Sequence, residues 1–160
     1  MILHTLLSLL VLAASTPEGW SKYTNARHGY SVAVPPGLQG QGESDSGDGQ
    51  VFQDASGKAQ LKVWASPVTE LDGEPEGKSN LAWYRRTSLD SWREGGVRVT
   101  YQPKGKGWWV LSGEDKDGRV HYLKVHEKAG VIYGFEWVHP KGDKPRQDAT
   151  SRIAKGFQLP

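Results

Sequence analysis

The sequence predicts an α+β fold, an antiparallel β-sheet flanked by α-helices, and three observations carry that expectation. Between Gly107 and His139, apolar and polar residues alternate in three runs, 108–114, 119–126 and 131–139. In the last run Val131, Tyr133, Phe135 and Trp137 fall on one face and Ile132, Gly134, Glu136 and Val138 on the other, the period of a strand. The connections Asp115-Lys116-Asp117-Gly118 and Glu127-Lys128-Ala129-Gly130 both end in Gly, which supplies the positive φ a tight hairpin needs. Elsewhere the period changes: Leu81, Tyr84, Ser88, Leu89 and Trp92 recur at helical spacing, and so do Ala149, Ile153 and Phe157. Finally, the strands come in blocks with helices between and after them, which argues against alternating βαβ units.

Taken in order, residues 1–15 hold an apolar run followed by Ala13-Ala14-Ser15, the pattern of a secretory signal. The run falls well short of the about 20 residues a bilayer span requires, so residues 16–160 are expected as one exported domain without a stable membrane span. An opening hairpin is expected over 20–26 and 30–34, stopped by Pro35-Pro36-Gly37. Residues 39–50 are rich in Gly, Ser and Asp and read as a solvated loop. Strands are expected over 50–53 and 59–65, with Leu61, Val63 and Ala65 on one face and Lys62 and Trp64 on the other. A Pro/Gly/Glu linker at 66–78 leads to a helix over 80–93, capped by Ser79 and stopped by Gly95-Gly96. A strand at 97–102 and a turn at 103–107 enter the central meander. Pro145 then suits the first turn of a second helix, after which Phe157 and Leu159 tuck against the sheet.

Composition removes several function classes. With no Cys there is neither a disulfide nor a thioether-linked lipid, so stability rests on the core, for which seven Trp, six Tyr and three Phe supply volume. The net charge of +2 comes from basic residues scattered among acidic ones, which gives no footprint for nucleic acid.

The motifs that resemble chemical sites each fail on a physical point. Gly73-Glu74-Pro75-Glu76-Gly77-Lys78-Ser79 looks like a phosphate loop, but its spacing is one residue short and two carboxylates would face the phosphates. Glu43, Asp45 and Asp48 cluster in a polar stretch, yet Gly47 stands where a further oxygen ligand belongs. They read as a turn, and calcium is the one cofactor left to test. His121 and His126 lie on opposite faces of one strand and cannot form a ligand pair. No Ser sits in a Gly-x-Ser-x-Gly elbow, so a hydrolase would need a triad built on a residue such as His28.

The aromatic residues are more informative. Trp108 and Trp109 are adjacent on a strand and point to opposite faces, and Trp64 faces away from Leu61 and Val63. An interaction surface is therefore expected from Trp64, Trp108, Tyr122 and Lys124 with Lys104 and Lys106 nearby. A pocket between the sheet and helix 80–93, lined by Tyr84, Trp92 and Trp137, is the alternative.

Two stretches carry a family resemblance. Tyr23-Thr24-Asn25-Ala26-Arg27-His28-Gly29-Tyr30-Ser31-Val32-Ala33-Val34-Pro35 resembles the opening hairpin of the PsbP-like superfamily, and Gly156-Phe157-Gln158-Leu159 after a helix with Ala149 and Ile153 resembles its ending. The resemblance, closest to the secreted bacterial branch, implies an α/β/α sandwich with both sheet faces covered. It also implies a non-catalytic docking, assembly or stabilising role toward another envelope or secreted protein. A small-ligand carrier is the second expectation and a hydrolase the third. A cavity of a few hundred Å³ beside the helix would favour the carrier, and convergence of His28 with a Ser and an acid would favour the hydrolase.

Overall fold

The computed structural model describes residues 19–67 and 80–160. The signal, the phosphate-loop-like stretch and the Ser79 cap lie outside them. Ten strands and two helices are described: β1 Ser21–Thr24, β2 Ser31–Val34, β3 Gln39–Glu43, β4 Gly49–Gln53, β5 Gln60–Pro67, α1 Asn80–Glu94, β6 Arg98–Tyr101, β7 Lys104–Gly105, β8 Trp108–Glu114, β9 Arg119–Lys128, β10 Val131–Pro140 and α2 Lys144–Gly156.

The predicted meander forms as β8–β9–β10 and lies inside an antiparallel sheet ordered β3-β4-β5-β10-β9-β8-β6, with β7 pairing β8. Its hairpins close on Gly118 and Gly130, both at positive φ. β10 is buried along nearly its whole length because it runs between β5 and β9 with a layer on each face.

Parity along each strand sorts two cores. On one face Leu61, Val63, Ala65, Tyr133, Phe135 and Trp137 meet the β1–β2 hairpin and Ala149, Ile153 and Phe157 of α2 and the tail. On the other, Trp109, Leu111, Leu123, Val125 and Ile132 meet Leu89 of α1, with Trp64, Tyr84 and Trp92 packed at the side. The result is an α/β/α sandwich around an antiparallel sheet. α1 is pinned at its start, where the Trp109 indole N–H donates to the Leu81 carbonyl at 3.0 Å. α2 is capped by Asp143, whose carboxylate accepts from the Arg146 amide at 3.1 Å, with Pro145 in the first turn.

Residues 39–50 correct the loop expected there, because β3 and the start of β4 occupy them. β3 is exposed along its whole length at the sheet edge, so it is held by main-chain pairing and the Tyr23–Glu43 hydrogen bond, and no apolar period marks it. Both outer strands are irregular, β3 shifting register between Gly40 and Glu43 and β6 between Val99 and Tyr101. The β1–β2 hairpin forms a separate two-stranded sheet, closed against the C-terminus by a bridge between Ser31 and Gln158.

Candidate functional site

On the α1 side the helix does not close against β4 and β5, and a cleft of about 730 Å³ remains between them. Its floor is Trp64. A Cβ built on Gly134, the cross-strand partner of Trp64, would lie 2.4–2.9 Å from three atoms of the indole, so the ring lies flat over bare backbone. The ring also lines the cleft. Beside the ring stands Tyr84, whose hydroxyl pKa is raised by burial although the neighbouring indole works the other way. The Lys62 ammonium stands 5.6 Å from the indole centre.

The far wall is α1, which presents Thr87, Ser88 and Ser91 toward the sheet, with Trp92 at its end. The ring of Trp92 meets His121 edge-on at 5.6 Å. His121 is clamped between two carboxylates, with Nε2 2.9 Å from Asp115 Oδ2 and Nδ1 3.3 Å from Glu136 Oε1. Burial works against charge on His121, but the hydrogen bonds to Glu136 and Asp115 outweigh it and raise its pKa. Asp115, 5% exposed, is shifted the other way: the bonds from His121 and Arg119 overcome burial and hold its pKa well below the usual carboxylate range.

The outer lip is the β3–β4 turn, and the β1–β2 hairpin fixes it. Asn25 donates to the Gly47 carbonyl at 2.8 Å, and the Tyr30 hydroxyl donates to the Asp48 carbonyl at 2.8 Å. Asp48 Oδ1 takes Arg27 at 3.0 Å and His28 Nε2 at 2.7 Å. Burial opposes the Asp48 charge, but Ser46, His28 and Arg27 together keep its pKa below the ordinary value.

These placements divide the residues singled out from the sequence. Tyr84 and Trp92 line the cleft, and Trp64, expected on a docking surface, lies there with them. Trp137 is on the opposite face, fully buried, donating its N–H to the Arg146 carbonyl at 3.1 Å under α2. Its parity on β10 was legible, but which face α1 covers was not. Trp108, Tyr122 and Lys124 share the α2-side face, with the Lys124 ammonium 6.0 Å from the Trp108 ring. Lys104 and Lys106 are exposed at the adjacent hairpin. Near this patch Tyr101, not singled out from the sequence, is 56% exposed.

Glu43, Asp45 and Asp48 do not converge. Glu43 accepts from the Tyr23 hydroxyl, Asp48 is engaged by Arg27 and His28, and Asp45 is exposed. Among the described residues no group of three or more His, Asp or Glu is arranged to hold a metal. His28, Asp48 and Ser46 do come together, but the carboxylate is the shared partner of the other two. A nucleophile relay needs the imidazole in that middle position.

No protein-family model matches the sequence, and no curated protein matches it significantly. Likeness is found among solved structures. The solution structure of cyanobacterial PsbP (CyanoP) from Synechocystis sp. PCC 6803 is 16% identical and aligns over 92% of this chain and 96% of that one, with a TM-score of 0.57. A crystal structure from Bacteroides thetaiotaomicron VPI-5482 is 9% identical over 89% of this chain, which matches 49% of that longer one, with a TM-score of 0.50. The architecture is therefore an α+β sandwich of PsbP-like fold.

Proposed function

We propose that the chain is a non-enzymatic, exported binding module that holds a small ligand in the cleft beneath α1. The observation that carries this reading is the cleft itself: about 730 Å³, within the range of small-molecule sites, with an aromatic floor and walls that mix apolar and hydroxyl side chains. A PsbP-like fold is compatible with a role without catalysis, and the acid-centred order of His28, Asp48 and Ser46 speaks against hydrolysis. No helix among the described residues is long and apolar enough to cross a membrane.

Docking to another envelope protein is the second reading, favoured by exposed Tyr101 beside Trp108, Lys124, Lys104 and Lys106. Thermal unfolding with envelope extracts separates the two, because whatever binds only the native state raises the midpoint. Ligand binding predicts a rise that survives removal of proteins from the extract and is absent in Ser88→Phe, which fills the cleft. A rise lost with the proteins and retained in Ser88→Phe would favour docking. A rise with calcium alone would return Glu43, Asp45 and Asp48 to consideration.

A further inference from the structure

We infer that the cleft under α1 takes an uncharged saccharide, with one sugar ring stacked on Trp64 and its hydroxyls met by the serine face of α1. This rests on the reading of the cleft as a ligand site and adds the chemistry of the ligand.

Charge narrows the class first. Lys62 and Glu136 are cross-strand partners of opposite sign at the cleft floor, and the Asp48 carboxylate at the lip is engaged by Arg27 and His28. A phosphorylated ligand would need a surplus of positive groups and a cationic one a surplus of carboxylates. The cleft offers neither.

The two walls then narrow it further. Trp64 gives a flat apolar surface packed directly on the Gly134 backbone, so it is ordered before anything binds. An acyl chain would need a continuous apolar wall facing it, but α1 turns Leu89 into the core and sets Thr87, Ser88 and Ser91 between Tyr84 and Trp92. Neither serine hydroxyl has a hydrogen-bond partner among the described residues, unlike Thr87, which bonds back to the Trp83 carbonyl at 3.1 Å. A pyranose combines an apolar C–H face with a rim of hydroxyls, and so matches a floor of one kind and a wall of the other. The volume leaves room for a short oligosaccharide.

The test is calorimetric titration of the purified protein with cellotetraose, maltotetraose and chitotetraose, beside fluorescence titration with the neutral apolar dye N-phenyl-1-naphthylamine. At least one saccharide should bind saturably, and its affinity should fall about tenfold or more in Ser88→Phe, Ser91→Phe and Trp64→Leu, the loss typical of removing a central contact. Circular dichroism and the unfolding midpoint establish that each variant is folded, and Ser91, exposed at the helix surface, is the variant least able to disturb the core. If the dye binds and is shut out by Ser88→Phe while no saccharide binds or displaces it, the saccharide inference is overturned and the ligand site stands. If neither binds, both are overturned. Saccharide binding of equal strength in all three variants would place the sugar elsewhere and overturn the inference as well.

Discussion

His121 and His126 show how one strand gives the same side chain opposite electrostatic roles. His121, on the α1 face, is held by Asp115 and Glu136 and capped by Trp92, and its pKa is raised. A raised pKa contributes stability that is fully present below the unfolded value of about 6.5 and is lost as pH rises through the folded value. Asp115, with its lowered pKa, contributes above about 3.9 and loses that contribution as pH falls toward its folded value, so the pair is strongest between those limits. His126 faces the other layer, beside Phe157, where burial and then Lys124 push its pKa down to about 4. Below about pH 6.5 the unfolded chain takes up a proton that the folded chain refuses, which destabilises the fold on acidification. Urea unfolding at pH 5 and pH 8 should therefore separate the two variants. His121→Gln should lose more stability at pH 5 than at pH 8, while His126→Gln should gain relative to the parent at pH 5, the gain being on the order of 1 kcal/mol. Parallel slopes would refute the assignment.

At the level of the element, the pairing of Gly134 on β10 with Trp64 on β5 sets the floor of the cleft. Gly134→Ala would put a methyl group 2.4 Å from the indole. Overpacking of this kind costs roughly 1–3 kcal/mol. Because the cost arises from the ring, Gly134→Ala made in a Trp64→Leu background should cost less than in the parent, and equal costs in denaturant melts would show that the ring is not the obstacle. The sequence tells that Trp64 points away from Leu61 and Val63 and that Gly134 points away from Tyr133 and Phe135, since parity is local. It does not tell that Trp64 and Gly134 are neighbours, since register between β5 and β10 is set across more than sixty residues. The same limit misplaced Trp137: period 2 gives sides, and only the packing of helices decides which side each helix takes. β3 was illegible for another reason, having no apolar residue to mark it. The meander and both helices were legible because each buries a regular face.

For the whole molecule, the C-terminal tail joins parts that are distant in the chain. Phe157 lies 6.0 Å from the Tyr30 ring and 5.1 Å from Phe135, and Gln158 bridges Ser31, so the tail secures the hairpin that carries Arg27 and His28 to the lip of the cleft. Phe157→Ala should cost about 3 kcal/mol or more in stability. Hydrogen exchange should quicken in β1, β2 and the 44–48 turn before it does in β8 and β9, and uniform quickening would mean that the hairpin is not a separate unit. The irregular outer strands act at the same scale. Each rim of the sheet shifts out of step partway along, at Gly40–Glu43 on one side and at Val99–Tyr101 on the other. A neighbouring copy offered to either rim could match the main-chain donors and acceptors for only a few residues before losing alignment. The outer strands thus offer other chains only short stretches on which a further strand could be added.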